Sequence, residues 1–471
     1  MEKISSAAMP SKLSARVWTG ILIFGLFGQV AWIVENMYFN VFMDRTVTTN
    51  PFAVQVMVAL SAIFATAATL IAGTFSDKIG KRKALISWGY IIWGLTVMVF
   101  AAISVDNTMK IFSIERGAAT TATVAIIVIM DCVMSVVGSA ANDSAFNSWV
   151  TDITSTSNRG RVEGVLAIMP LIAMAVVFGG LDRFTADTFL YLDGETGASY
   201  VEGATLVSHG NWQLFFLLLG GITSAVGLLG LFLIKDSKDL KPSSTASFRD
   251  MLYGFRKEVI NENKELYLAF AAMAIIGIAN MAYMPYLIMY VERTLGFTDY
   301  LIPIAVIIGG AAISSVVLGI IFDKFGKQKF IFPLSIAYIV GAVMLLLSSP
   351  IVFKNNTPLA ALIVSGFIFM TANLGISAIL TATVRDYTPK DKVGLFQGVR
   401  MFFWVLIPMI IGPLITAIIT VGTKPVGKDY YGADIYEYPP YMFAVSAVVM
   451  VANMPIIVKI KKFITKPLKN I

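Results

Sequence analysis

The chain has 471 residues, of which 57% are hydrophobic and 14% are charged, and its formal net charge is +7. Soluble domains carry about 25% charged residues, so this composition excludes an ordinary soluble protein and indicates a polytopic membrane protein. The apolar runs are continuous and do not alternate, which excludes an all-β barrel. The single cysteine, Cys132, excludes an intrachain disulfide.

Twelve apolar segments follow one another along the chain, and each is long enough for a transmembrane helix. The predicted spans are 17–43, 53–75, 84–104, 118–146, 163–181, 213–234, 266–291, 301–322, 330–349, 359–384, 394–421 and 440–460. The sequence therefore predicts an all-α membrane protein with twelve transmembrane helices.

The distribution of Lys and Arg predicts the orientation. Most of the 36 basic residues fall in segments that share one side of the membrane when both termini are cytoplasmic. By the positive-inside rule we expect a multi-pass protein of a bacterial cytoplasmic membrane with both termini in the cytoplasm. Basic residues on that side face anionic lipids, which explains the net charge without a nucleic-acid partner.

Three short stretches recur in the same order in the two parts of the chain. GTFSDKIGKRK at 73–83 returns as GIIFDKFGKQK at 319–329, and VTDITSTSNRGRVEGV at 150–165 returns as VRDYTPKDKVGLFQGV at 384–399. A weaker pair is Asp44-Arg45-Thr46 with Glu292-Arg293-Thr294. The repeats predict an N-terminal half at 1–234, a cytoplasmic linker at 235–265 and a C-terminal half at 266–471.

Two parallel six-helix halves form the architecture of the major facilitator superfamily. The loop between its second and third helices carries Gly, three residues, Asp-Arg/Lys, one residue and Gly-Arg/Lys-Arg/Lys. The segment 73–83 resembles this motif, and 319–329 repeats it. The resemblance implies a pseudo-symmetric transporter fold in which these loops latch one closed state.

The stretch NDSAFNSWVTDITSTSNRGRVEG resembles the loop after helix four in the glycoside–pentoside–hexuronide:cation symporters, the melibiose-permease-like family. The resemblance implies an Asp in this loop and an Arg at the start of helix five, and these are matched by Asp152 and Arg159. It also implies a cavity carboxylate on helix four, matched by Asp131, and a basic residue on helix eleven, matched by Arg400. The predicted gating residues, taken from both resemblances and their repeats, are Asp77, Lys78, Gly80, Arg82, Asp152, Arg159, Asp323, Gly326 and Asp386.

The family's best-known members carry ion-binding carboxylates on helix two, whereas Val54–Ser76 contains none. In the superfamily fold, helices one, four, seven and ten line the central cavity. In their predicted spans, Asp131, Asn280 and Asn373 lie near the middle, and Glu35 lies about five residues outward of the centre of helix one. A charge near the bilayer centre is costly and is kept mostly for function, so we expect a substrate or cation site here.

Each of these residues has a structural alternative. Asn280 and Asn373 are also suited to hydrogen bonds between helices. Asp131 is alternatively a structural carboxylate that pairs with another side chain across the bundle. The side chain of Glu35 alternatively reaches the outer membrane surface. For Arg400 the alternatives are contact with lipid headgroups or an ion pair with Asp143 or Glu163. Trp32, Asn36 and Tyr283 flank the predicted site, and their residue types suit sugars, although aromatic residues are also typical of membrane interfaces.

The sequence thus predicts a secondary active transporter that imports a sugar or glycoside-like polar solute together with H⁺ or Na⁺. A cation near two carboxylates would relieve their repulsion and favour binding of the solute. The alternative is an exporter of drugs or metabolites, or a lysolipid-type lipid transporter. No metal-ligand cluster, nucleophile elbow or nucleotide-binding loop is found, so we expect neither an enzyme nor a bound cofactor or metal. The expected partners are the solute and membrane lipids, with no nucleic acid, and the expected state is a monomer.

Overall fold

The computed structural model describes residues 13–154, 159–185, 211–236, 253–297, 300–353, 358–389, 393–428 and 434–464. Within these ranges eleven helices are long and apolar enough to cross a membrane, and a twelfth is shorter. In chain order they are α1 (Ala15–Thr46), α2 (Pro51–Ser76), α3 (Lys83–Ala102), α4 (Arg116–Ile153), α5 (Gly164–Phe184), α6 (Trp212–Leu233), α7 (Lys264–Thr294), α8 (Leu301–Phe322), α9 (Ile331–Leu347), α10 (Leu359–Tyr387), α11 (Gly398–Val421) and α12 (Tyr441–Ile464).

These helices confirm the twelve predicted spans and the all-α fold class. Within the described ranges, short α-helices at Val105–Phe112, Lys257–Glu262 and Pro350–Phe353 and a 3₁₀ turn at Lys327–Lys329 lie between them. The strands Gly427–Lys428 and Asp434–Ile435 pair antiparallel before α12.

The helices pack in equivalent pairs in the two halves. The contacts of α1 with α5, α2 with α4 and α3 with α6 recur as α7 with α11, α8 with α10 and α9 with α12. Between the halves, α2 packs against α11 and α5 against α8. The bundle is therefore pseudo-symmetric, with an interface between its halves.

Glycines set the close approach of α3 and α6. A Cβ atom on Gly94 would meet the backbone of Gly220 and Ser224, and one on Gly220 would meet the carbonyl oxygen of Gly94. Small residues allow helices in a membrane to approach closely and to gain packing contacts.

Several helices contain a π-helical segment, in which the backbone turn is wider than in an α-helix. Those relevant here are Val34–Tyr38 in α1, Ser139–Phe146 in α4 and Phe402–Leu406 in α11. Such segments are frequent at functional sites. Here all three contribute to the cavity between the halves.

Candidate functional site

The loop between α2 and α3 defines what we call the inner end of the bundle, and the opposite end is the outer end. The orientation predicted from Lys and Arg places the inner end in the cytoplasm. Between these ends, the two halves enclose a cavity of about 280 Å³. Its lining comes from α1, α2 and α4 of the first half and from α7 and α11 of the second.

The two walls of the cavity differ in chemistry. The first-half wall carries the acidic groups and consists of Trp32, Glu35, Asn36, Ser61, Ala62, Ala65 and Asp143. The second-half wall is largely apolar and includes Asn280, Met281, Met401, Trp404, Val405, Pro408 and Met409. The acidic groups of the cavity therefore all lie on one side, and aromatic and thioether groups face them.

Glu35 lies in the π-helical segment of α1 and lines the cavity, although its residue exposure is only 6%. Ser135 Oγ donates a hydrogen bond of 2.5 Å to Glu35 Oε1. Glu35 Oε2 is buried and has no hydrogen-bond partner among the described residues. One oxygen of this carboxylate is thus held by α4, and the other has the full capacity to accept a proton or a cation.

Asp131 lies behind this wall on α4 with a residue exposure of 2%, and it does not line the cavity. Its carboxylate faces the hydroxyl of Ser61, and its Oδ1 is buried without a described partner. Asp131 and Asp143 are both close enough to act electrostatically on Glu35. Among the basic side chains that the structure describes, none forms an ion pair with any of these three carboxylates.

Asp143 is the acidic cavity residue that the sequence analysis did not assign to the site. It lies in the π-helical segment of α4, where Asn142 Nδ2 donates to its Oδ1 at 3.3 Å. The predicted span ends at residue 146, which puts Asp143 at the membrane surface, but the helix continues to Ile153. The only available signal was its place beside the loop that resembles the symporter family.

Asn280 and Asn373 contact each other across the second half. Asn280 Nδ2 donates to Asn373 Oδ1 at 2.9 Å, and Tyr338 Oη donates to Asn280 Oδ1 at 3.1 Å. These bonds join α7, α9 and α10. Asn280 also lines the cavity, whereas Asn373 does not. The structure therefore places this pair in the bridging arrangement that the sequence left open.

The remaining predicted binding residues are divided between the cavity and the helix packing. Asn36 lines the cavity, and its Nδ2 donates to Trp32 O of the same helix at 2.8 Å. Tyr283 is buried outside the cavity against Phe369, with ring centroids 5.2 Å apart. Arg400 is half-buried and does not line the cavity.

At the inner end, predicted gating residues contribute to a described ion pair inside each half. Arg82 Nε lies 3.1 Å from Asp152 Oδ2, and Lys327 pairs with Asp386. The helical backbone of α2 continues to Ile79 and that of α8 to Phe325. Gly80 and Gly326 follow with φ of 64° and 86°, a backbone conformation that other residues rarely adopt. Lys78 is exposed, and the side chains of Asp77, Arg159 and Asp323 lie outside the described residues.

A polytopic helical bundle with a cavity between two pseudo-symmetric halves is the architecture of a secondary transporter. The family model of the Major Facilitator Superfamily matches residues 17–413. The chain belongs to this superfamily, and it is a multi-pass membrane protein with a transporter fold. A comparison with curated protein sequences finds no match.

Solved structures show the same fold at low sequence identity. The nucleoside transporter NupG is 12% identical, with a TM-score of 0.61 over 96% of this chain and 100% of its own. A bacterial homolog of the human lysosomal transporter Spinster, in an inward-facing and unoccupied conformation, is 16% identical. Its TM-score is 0.59, with 96% of this chain and 97% of that chain covered.

Proposed function

We propose that this transporter imports a small polar solute, a sugar or a glycoside, together with H⁺ or Na⁺. Glu35 and Asp131 take the cation, and the cavity between the halves takes the solute. The two halves rock about this cavity so that it opens to each side of the membrane in turn.

The observation that carries the cation-coupled part is the Glu35–Asp131 arrangement. Each of these two buried carboxylates has an oxygen with no described hydrogen-bond partner, and none of the described basic side chains pairs with either carboxylate. Burying an unpaired charge costs several kcal/mol, on the order of the penalty for each ion of a buried pair. A bound proton or Na⁺ lowers this cost, so closure of the cavity is favoured when the cation is present.

Two features support a small polar solute. Ligand pockets occupy roughly 300 to 1,000 Å³, and the cavity of about 280 Å³ lies just below that range, which favours a small solute. Its wall combines carboxylates and amides with the indole rings of Trp32 and Trp404, which suits hydroxyl groups and the C–H face of a sugar. The resemblance of the loop after α4 to the glycoside–cation symporters points to the same solute class.

The proposal is tested by uptake of radiolabelled α- and β-galactosides, glucosides and xylosides into proteoliposomes under an imposed Na⁺ or H⁺ gradient. Wild type is compared with Glu35→Gln and Asp131→Asn. The matched control is Glu115→Gln, because Glu115 is an exposed carboxylate just before α4 and outside the cavity. We expect gradient-driven uptake in wild type and in the control, and its loss in both cavity variants.

Retention of solute exchange in a variant that has lost gradient-driven uptake places that carboxylate on the coupling path. Unchanged uptake in both variants contradicts the cation-binding role of the two acids. Absence of uptake for every sugar by wild type, under both gradients, contradicts the proposed solute class and favours the exporter or lipid-transporter alternative.

A further inference from the structure

The weakest of the three sequence repeats becomes a structural feature at the outer end. Asp44-Arg45 ends α1, and Glu292-Arg293 lies near the end of α7, the equivalent helix of the other half. Arg45 Nη2 donates to both carboxylate oxygens of Glu292 at 2.8 Å, and Asp44 pairs with Arg293. Each acid–base dyad is thus satisfied by the dyad of the other half, in reciprocal order.

Both ion pairs are buried. The four side chains are no more than 7% exposed. Arg45 Nη1 also donates to Thr185 O at 2.8 Å, and Arg293 Nη1 donates to Tyr436 O at 3.0 Å. Breaking one partner of a buried pair leaves an uncompensated charge, which is much more costly than losing an exposed pair.

Tyrosines from the second half add hydrogen bonds to acids of the first half. Tyr438 Oη donates to Asp44 Oδ1 at 3.3 Å, and Tyr300 Oη donates to Asp182 Oδ1 at 2.7 Å. Burial raises the pKa of Tyr438 and of Tyr300 above the ordinary value for a tyrosine, so both phenols remain donors. The outer end is therefore closed by contacts between the halves.

The inner end differs in this respect. Within the described ranges, its two ion pairs, Arg82–Asp152 and Lys327–Asp386, each lie inside a single half. Among the ion pairs that the structure describes, those that join the two halves lie at the outer end of the cavity. Because the halves must separate at the outer end for the cavity to open there, these contacts have to break in each transport cycle.

We propose that the reciprocal pairs Arg45–Glu292 and Asp44–Arg293 are the outer latch of this transporter and set the balance between its outward-open and outward-closed states. The inference depends on the transporter fold and on no particular solute or coupling ion.

The test is a pair of distance measurements by double electron–electron resonance in lipid nanodiscs, without solute. The native Cys132 is first replaced by Ala. One spin-label pair, on K110C and K424C, reports the outer end, and a second pair, on K81C and K329C, reports the inner end. All four labelled positions are exposed in the structure, and each pair spans the two halves.

The first variant combines Asp44→Asn with Glu292→Gln and removes the negative charge that each arginine faces in these two pairs. We expect the population with the longer outer distance to rise by at least about tenfold, and the inner distance to shorten in parallel. The matched control is Asp434→Asn, which removes the exposed ion pair of Asp434 with Lys428 at the same end and inside one half. The control should keep the wild-type distances.

Two further variants test the same ion pairs if the doubly neutralised protein does not fold. Arg293→Asp alone should open the outer end, because two carboxylates then face each other. Adding Asp44→Arg to it restores opposite charges and should restore the wild-type distances. The proposal is overturned if the folded neutralised variant or the folded Arg293→Asp variant keeps the wild-type distances. It is also overturned if the Asp434→Asn control changes equally, or if the charge-exchanged variant does not recover the wild-type distances.

Discussion

Replacing Asn280 with Leu tests the hydrogen bonds that join α7, α9 and α10. The change is close to isosteric, but it leaves Asn373 Oδ1 without its described donor and Tyr338 Oη without its acceptor. A buried polar group left unsatisfied costs about 1–3 kcal/mol, whereas hydrogen bonds between membrane helices average about 0.6 kcal/mol. With two bonds lost, we expect the free energy of unfolding to fall by about 1–3 kcal/mol.

The assay is unfolding in mixed micelles by a titration with sodium dodecyl sulfate, followed by tryptophan fluorescence. A double-mutant cycle with Asn373→Leu isolates the direct contact, and we expect a coupling energy between about 0.6 and 1.7 kcal/mol. The matched control is Asn36→Leu, because the described side-chain bond of Asn36 stays within its own helix. Additive effects of the two substitutions, with no coupling energy, would refute the bridging role of the pair.

Two other predictions concern the packing that supports the cavity. Asp236 Oδ1 accepts hydrogen bonds from the backbone N–H groups of Arg82 and Lys83, both at 2.8 Å. We therefore expect Asp236→Ala to lower the free energy of unfolding by about 0.5–2 kcal/mol and to speed amide hydrogen exchange in the first turn of α3. Unchanged amide hydrogen exchange in this turn would show that Asp236 does not stabilise the start of α3. Gly94→Val should lower the free energy of unfolding by about 1–3 kcal/mol or more, because the new side chain meets the backbone of α6. Gly309→Val should not lower it in this way, because a Cβ atom at Gly309 has open space around it. Equal loss of monodisperse protein on size-exclusion chromatography in both variants would contradict this account.

The fold was predictable because the membrane imposes strong patterns on the sequence. The length of each apolar segment locates a transmembrane span. The repeated Gly and Asp-Lys residues show that the two six-helix halves are equivalent. Helix boundaries are less accurate where a helix continues past the predicted apolar span, as α4 does to Ile153. That extension is why Asp143 was missed, since hydropathy alone places it at the end of the helix rather than in the cavity wall.

The polar residues of the site can be predicted from the energetic cost of placing a polar group in lipid. Their hydrogen-bond partners cannot be predicted in this way. Glu35 was singled out by its position, whereas its hydrogen bond with Ser135 depends on how α1 packs against α4. Likewise Trp404 and Met401 reach the cavity because α11 contacts α7, which no local pattern reveals.

The reciprocal pairing at the outer end has a consequence for how the sequence can change over evolution. An acid followed by a base is self-complementary about a two-fold axis, so one short motif can satisfy itself across an isologous contact between two copies of a six-helix unit. Once the copies are joined in one chain, neither dyad can reverse its order alone without placing like charges together. Among homologues, position 44 should therefore covary with 293, and position 45 with 292, more strongly than neighbours within either dyad.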